Sequence, residues 1–354
     1  MNVSSQPPTY PIIEPCLWVT GATGFVGQCL VPYWLALGWK VVCLVRSTDS
    51  VQAKHLLHKG AVLVELPSVS EMLLKTLQES LTQYQPDGFV HLATHFVGEH
   101  RTEDIPALIE SNLLLGTLCM EAWSHYTKAQ NHGLHPTSEA PEPFRGWVLN
   151  TGTVWQHYQD QDYAPVNLYA ATKQAFEAIL QYYGEVQNLP ILTLKLYDTY
   201  GPHDTRRKVI PLLRQAATTP LTQRPPVKLT EGTQQRFHFL HEEDLCRAFT
   251  HAITHMLPSL RSGMHCYALP SQQAVTLKEV VACFNELLPA QEALCPEWGV
   301  FPYRTREVFI PPSNTMLPPL PGWHASYSLP EGIATLLSNA SHHSPQVQHP
   351  HLTS

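Results

Sequence analysis

The tightest constraint on this chain is the run Thr20-Gly21-Ala22-Thr23-Gly24-Phe25-Val26-Gly27, which follows a short apolar segment, Cys16 to Thr20, and opens a helical stretch through Gln28-Cys29-Leu30. Glycines at this spacing permit a tight turn, a close approach of backbone to a pyrophosphate, and close packing of helix on strand. The helix amino terminus then offers free N–H groups and a partial positive charge. Such a glycine pattern also marks ordinary strand-to-helix turns. Its place between the first strand and first helix of a βαβ series favours a dinucleotide.

That series is legible along the first half. Apolar runs at Cys16 to Thr20, Lys40 to Val45, Ala61 to Glu65, Gly88 to Leu92, Gly146 to Thr151 and Pro190 to Leu196 read as strands, separated by helical patterns starting near Phe25, Asp49, Ser70, Glu103 and Asn167. Alternation of this kind predicts an α/β fold, a Rossmann-type doubly wound parallel sheet with right-handed crossovers. Beyond Leu196 the elements shorten: a helix near Val209 to Ala217, strands near Val227 to Leu229 and Arg236 to Leu240, and helices near Glu242 to His255 and Leu277 to Leu288. The expected organisation is a tail over 1–15, a dinucleotide-binding domain over 16–200, a smaller, mainly substrate-binding α/β lobe over 201–337, and a polar His-bearing tail over 338–354. Asn131 to Pro143, rich in Pro, His and Ser, reads as an inserted surface loop.

Composition narrows the partners. The 354 residues include 22 Lys or Arg and 29 Asp or Glu, so only 14% are charged and the formal net charge is -7. Nucleic-acid affinity rests on Lys and Arg neutralising phosphates, so coating a polyanion is not the expected task. No apolar run of about 18 residues and no basic-then-apolar leader is evident, and a cytoplasmic protein is expected. The eight cysteines lack metal or redox spacing and read as reduced core residues; the 20 histidines, including His55, His58, His95, His100, His342 and His343, show no ligand spacing, so no metal is expected.

Two further places point to chemistry. At the end of the second strand, Arg46 stands where an acidic residue would bind both ribose hydroxyls of NAD, with Ser47 and Thr48 beside it as phosphate donors and Asp49 as a helix N-cap. An Arg there accommodates the 2′-phosphate of NADP; the alternative is a solvated strand-end Arg. Tyr169 and Lys173 lie four apart on one helix face, and a fixed cation lowers the pKa of a neighbouring phenol. Eighteen residues before Tyr169, Thr151 offers a hydroxyl at the carboxyl end of a strand.

Glycine loop, hydroxyl strand end and Tyr-Lys helix arrive in the order of one architecture. The chain resembles the extended short-chain dehydrogenase/reductase family, in its nucleotide-sugar epimerase, dehydratase and ketoreductase branch, over about Cys16 to Leu337. Leu194-Lys195-Leu196-Tyr197-Asp198-Thr199-Tyr200-Gly201-Pro202 is similar to the family's R-x-x-N-x-Y-G-P, with Lys195 for Arg and Asp198 for Asn. Gln235-Arg236-Phe237-His238-Phe239-Leu240-His241 resembles its R-D-F-I-H-V segment with His238 for Asp, Arg304 stands in an R-x-G-D/E-like pattern, and Leu320-Pro321-Gly322-Trp323 leads to a family-like ending.

The resemblance implies residue roles. Thr151 takes the place of the catalytic Ser/Thr, Tyr169 of the acid or base, and Lys173 of its partner. Gly21, Thr23, Gly24, Phe25, Val26 and Gly27 would hold the pyrophosphate, Leu92, Ala93, Thr94 and Asn112 would line the cofactor's ribose side, and Tyr197 would sit beside the nicotinamide. Asp198, Lys208, Val209, Arg236 and Arg304 match positions for the nucleotide-sugar substrate; for Arg236 and Arg304 a surface ion pair with Asp244 or Glu307 is the alternative, and Arg206-Arg207-Lys208 also reads as a solvated helix start. Eight basic residues (Arg46, Lys173, Lys195, Arg206, Arg207, Lys208, Arg236, Arg304) are expected around one cleft.

Where the family's dehydratases carry Asp-Glu after the catalytic Thr, this chain has Gly152-Thr153, so dehydration is not expected. Arg46 and the wording around Asp198, similar to reductases that make deoxysugars such as CDP-abequose, favour an NADPH-dependent 4-ketoreductase of a CDP- or dTDP-activated 6-deoxysugar. The alternatives are an NAD-dependent 4-epimerase and a dinucleotide-sensing protein without turnover. A homodimer through the helices of Glu103 to Lys128 and Asn167 to Tyr183 is the further expectation.

Overall fold

Nine strands carry the backbone: β1 (Cys16–Thr20), β2 (Lys40–Val45), β3 (Val62–Glu65), β4 (Gly88–His91), β5 (Trp147–Thr153), β6 (Pro190–Leu196), β7 (Asp198–Tyr200), β8 (Phe239–His241) and β9 (Gly263–Leu269). In this computed structural model, which describes residues 14–68, 70–131 and 146–338, seven of them form one sheet in the order β3-β2-β1-β4-β5-β6-β9. Every pairing in it is parallel. The helices are α1 (Phe25–Ala36), α2 (Val51–His58), α3 (Ser70–Tyr84), α4 (Ile105–Ile109), α5 (Leu115–Asn131), α6 (Leu168–Val186), α7 (Val209–Thr218), α8 (Glu242–His251), α9 (Leu277–Leu287) and α10 (Leu329–Ser338). The expected Rossmann-type doubly wound sheet is therefore present. Of the tails and inserted loop expected over 1–15, 131–143 and 338–354, residues 1–13, 132–143 and 339–354 lie outside the described residues.

Strand alternation decides which helix covers which face, because successive side chains point to opposite sides of a sheet. On β1, Leu17 and Val19 join a cluster with Leu30, Val31 and Trp34 of α1 and Leu245 and Phe249 of α8. Trp18 faces the other way, into Leu77 of α3, Cys119 and Trp123 of α5, and Phe176 and Leu180 of α6. A third cluster, with Leu213, Val280, Phe284, Ile333 and Leu336, is the core of the smaller lobe, where β7 and β8 pair alone.

Several boundaries differ from the sequence reading. Ser50, not Asp49, caps α2, its hydroxyl accepting from the Ala53 N–H at 3.2 Å, because the helix begins at Val51; Asp49 instead pairs with Lys54 at 3.0 Å. Val227 to Leu229 is no strand: it makes an isolated bridge from Lys228 to Glu297, and the Leu229 carbonyl accepts from the Val300 N–H at 3.0 Å. β9 and β7 had no clear alternation to announce them; β9 extends the main sheet beside β6. Cys295 is exposed, unlike Cys16, Cys43, Cys119 and Cys246.

The helical run Thr102–Gln130 is long and apolar enough by length and composition to cross a membrane, which differs from the expectation of no such run. In this fold it covers the sheet: Leu108, Asn112, Cys119, Met120 and Trp123 face inward. A π-helical turn at Glu110–Leu114 joins α4 to α5 and turns the Asn112 side chain inward.

One buried polar group gives the fold a pH dependence. His91, fully enclosed, is hydrogen-bonded to the Thr20 hydroxyl at 2.8 Å through Nδ1, while its Nε2 has no partner among the described residues. Burial, reinforced by the Lys173 cation, pushes the imidazole down to about 3. In the unfolded chain it titrates near the ordinary value of about 6.5, so the unfolded state binds more protons below that pH. Stability is then lost as pH falls from about 6.5 toward about 3. A His91→Gln variant should show a weaker loss between neutral pH and about pH 5 than the parent chain in denaturant melts; equal slopes would refute the assignment.

Candidate active site

The site forms where the sheet order reverses, between β1 and β4, the crevice at which open α/β sheets bind ligands. Gly21 turns here with φ +71, and a Cβ on it would lie 2.4 Å from the Ala93 nitrogen. Only glycine lets the first loop press against Leu92 and Ala93. A Cβ on Gly27 would lie 2.4 Å from the Ala22 carbonyl, which fixes how closely α1 approaches β1. Gly24, exposed and extended at the start of α1, has no side-chain cap, and the first turn carries no acidic residue. That terminus keeps its N–H groups free for an anion. Thr23, Phe25 and Val26 are half-buried around it, so the loop fits the pyrophosphate of a dinucleotide.

Arg46 is exposed just beyond β2 and makes no ion pair or side-chain hydrogen bond among the described residues. Its neighbour Thr48 is engaged: both its N–H and hydroxyl donate to Glu65, at 2.9 and 2.6 Å. Ser47 accepts from the Asp49 N–H at 3.2 Å.

Asn112 ties the cofactor side to the Tyr-Lys helix. Its Oδ1 accepts from the His95 N–H at 2.6 Å and the Thr94 hydroxyl at 3.2 Å, and its Nδ2 donates to the His95 carbonyl and to Thr172 of α6. All of its side-chain capacity goes to holding the loop after β4, so its role in this structure is to position that loop. Asn167 caps α6 by accepting from the Ala170 N–H at 2.9 Å, and its Nδ2 reaches the Gly98 carbonyl at 2.9 Å. Two asparagines thus pin the same loop over the start of α6.

Thr151 and Lys173 meet directly and Tyr169 stands one helical turn before Lys173 on α6, with differences from expectation. β5 continues to Thr153, so Thr151 lies inside the strand rather than at its end, and its hydroxyl donates to the His91 carbonyl at 3.1 Å. Lys173 is buried and donates to the Thr151 carbonyl at 3.0 Å. Burial pushes its ammonium down to about 8, while Glu177, one turn along, acts to raise it. The Tyr169 phenol is not lowered as the Tyr-Lys spacing suggested: burial raises it to about 12, against a hydrogen bond with Thr94 and the charge of Arg206. The phenol is therefore an acid that holds its proton at neutral pH.

The basic residues do not all face the cleft. Lys195 is a correction: it is enclosed between β5 and α6, 3.0 Å from Glu177, and donates to His157 Nε2 at 2.6 Å. Neither carboxylate nor ammonium is reachable, with 4% and 3% of the side chains exposed. Since an ammonium can only donate, His157 accepts through Nε2 and its Nδ1 donates to the Gln161 carbonyl at 3.1 Å. Lys208 pairs with Asp198 at 2.7 Å, and Val209 begins α7 behind it. Arg206 bonds Asp204 and Thr199 and lies over the Phe25 ring, 3.9 Å from its centre, so it does join the first loop. Arg207 is exposed. Arg236 is also exposed and donates to the Ala274 carbonyl, not to Asp244, whose carboxylate is taken by Arg247 and the N–H groups of Ser326 and Tyr327. Arg304 is 3.7 Å from Glu99, with its backbone N–H on Glu307. Tyr197 is half-buried, its ring 4.7 Å from His238.

The sequence reading missed Glu177, His157 and Phe96. A carboxylate four residues after Lys173 lies on that lysine's own helix face, which was a usable signal. Phe96 gave none: it stands on an irregular loop, yet its ring lies edge-on to Tyr169 at 4.9 Å.

A parallel sheet in this order, a glycine loop at its switch point and a Thr-Tyr-Lys cluster beside it define a dinucleotide-binding enzyme scaffold. The model of the NAD dependent epimerase/dehydratase family matches residues 17–260, and the chain belongs to that family. It is 23% identical over 329 residues to CDP-abequose synthase of Salmonella typhimurium (strain LT2), covering 90% of this chain and 96% of that one. It is 28% identical over 248 residues to dTDP-glucose 4,6-dehydratase of Xanthomonas campestris pv. campestris, covering 65% of each. Among solved structures, UDP-glucose 4-epimerase of Thermus thermophilus in complex with NAD matches with a TM-score of 0.70 at 20% identity, covering 93% of this chain and 99% of that one.

Proposed function

We propose that this protein is an NADPH-dependent reductase of the 4-keto group of a CDP- or dTDP-activated 6-deoxysugar. The observation that carries the reading is Gly152. A Cβ there would lie 2.9 Å from Glu177 Oε1, 3.0 Å from Thr193 Cγ2 and 3.1 Å from Gln156 Oε1. An aspartate at the position that holds one in the family's dehydratases would force these enclosed side-chain atoms to give way, and Thr153 is occupied in accepting from the Trp155 N–H. The scaffold keeps the Thr-Tyr-Lys set without the extra acid and base that eliminating water requires. Likeness to CDP-abequose synthase along nearly the whole of both chains supports the same choice.

The Gly21 to Gly27 loop would hold a nicotinamide dinucleotide, which would supply the hydride when bound. Tyr169, with its phenol protonated at neutral pH, hands a proton to the carbonyl oxygen. Thr151 orients that oxygen once its hydroxyl turns from the His91 carbonyl, and Lys173, cationic below about pH 8, offsets the phenolate left on Tyr169. Lys208 and Arg304 flank the entrance, with Asp198 and Glu99 as the carboxylates a diphosphate would displace. The unpaired Arg46 is the candidate contact of a 2′-phosphate.

Cofactor choice is the direct test. The expected result is at least about tenfold tighter binding of NADPH than NADH, collapsing in Arg46→Asp. Equal affinities in the parent chain would remove the NADP assignment. Purified protein that carries tightly held NAD and interconverts sugars without added cofactor would replace the reductase by the 4-epimerase reading. Smaller-lobe binding of the sugar, a homodimer through α5 and α6 and a cytoplasmic location complete the proposal.

A further inference from the structure

The loop after β4 carries an exposed aromatic side chain to the reacting centre. Phe96 is 46% exposed although it sits on a loop pinned at both Asn112 and Asn167. Its ring lies 4.9 Å from that of Tyr169, nearly perpendicular at 79°, and 5.8 Å from that of Trp155. Lys208 Nζ stands 5.6 Å from the centre of the Phe96 ring, and the Arg304 guanidinium 5.5 Å from that of Trp155. Phe96 beside the acid and Trp155 beside Phe96, each with a cation near its ring, form an apolar surface edged by positive charge.

We infer that Phe96 and Trp155 select the sugar at the carbon substituent next to the reacting centre, favouring a C6 methyl over a C6 hydroxymethyl. The inference rests on the ketoreductase reading above. A carbonyl oxygen within hydrogen-bond reach of Tyr169 brings its carbon close to the edge of Phe96. The C6 substituent is only two bonds from that carbon, which puts it within reach of the aromatic wall. A methyl there replaces water against the rings, whereas a hydroxyl would be desolvated. Lys208 is held by Asp198 and Arg304 lies beside Glu99, so these cations are engaged on the outer side. One such difference discriminates by about tenfold or more.

The test uses the full chain with saturating NADP⁺ and calorimetric titration of two probes, dTDP-fucose and dTDP-galactose, which differ only in the C6 hydroxyl. The expected result is at least about tenfold tighter binding of dTDP-fucose, falling to about twofold or less in Phe96→Ser and retained in Phe96→Leu, with unchanged thermal unfolding. A ratio near one in the parent chain, or an undiminished ratio in Phe96→Ser, overturns the inference. Reduction of dTDP-4-keto-6-deoxyglucose, followed by NADPH absorbance, separates the two readings. Turnover without the binding preference sinks the wall alone, and preference without turnover sinks the reaction but leaves the wall. Failure of both probes to bind removes the substrate class on which the inference stands.

Discussion

Replacing Tyr169 by Phe should lower turnover of the keto sugar by about 10²- to 10⁴-fold, the range for loss of a positioned general acid. Substrate and dinucleotide affinity should change little, because the ring itself packs edge-on to Phe96 and that contact survives the substitution. The phenol is enclosed and raised to about 12, so it carries its proton throughout the neutral range. It is therefore matched to the reductive direction, in which the carbonyl oxygen needs a proton. Steady-state kinetics would check this: a kcat within about threefold of the parent at unchanged KM would show that another group supplies the proton.

The second large effect is on stability. Lys195→Ala should cost about 3–5 kcal/mol, the usual range for removing one partner of a buried ion pair. Glu177 would then be an enclosed carboxylate without its paired cation, with only Lys173 one turn away, for its Oε1 already lacks a partner among the described residues and its Oε2 has Lys195. His157 would lose its donor at Nε2 as well. The double variant Glu177→Met, Lys195→Met should recover most of that loss, since an apolar pair of similar volume leaves no charge uncompensated. Denaturant melts of the two variants decide the matter. A single variant within about 1 kcal/mol of the parent would show that water or a rearranged side chain reaches Glu177.

These two predictions illustrate what was legible. The Tyr169 and Lys173 pair follows from helix periodicity, a local rule that a sequence displays directly. Lys195 shows the opposite. Within the run Leu194 to Pro202 its charge looked like one more contribution to a phosphate cleft. Strand alternation and the pairing of Lys195 with Gly152 turn it under β5 instead, toward a glutamate on a different element. Nothing in the linear order distinguishes a lysine that meets a phosphate from one that neutralises a buried carboxylate. The shortage of charged residues makes the distinction matter, because several of the basic side chains expected at the cleft are already committed to Glu177, Asp198 and Asp204.

The sheet, the glycine loop and the order of the candidate Thr-Tyr-Lys residues were determined by the sequence alone, because each depends on short-range periodicity and on glycines whose backbone geometry other residues cannot adopt. Gly21 is the clearest case: its φ of +71 is the tight turn the pattern announced. Tertiary structure alone decided the protonation of Tyr169, the burial of Lys195 and the meeting of Phe96 with Tyr169 and Trp155. Those depend on desolvation and on contacts between distant segments, which arise only when β5, β6, α6 and the loop after β4 are packed together.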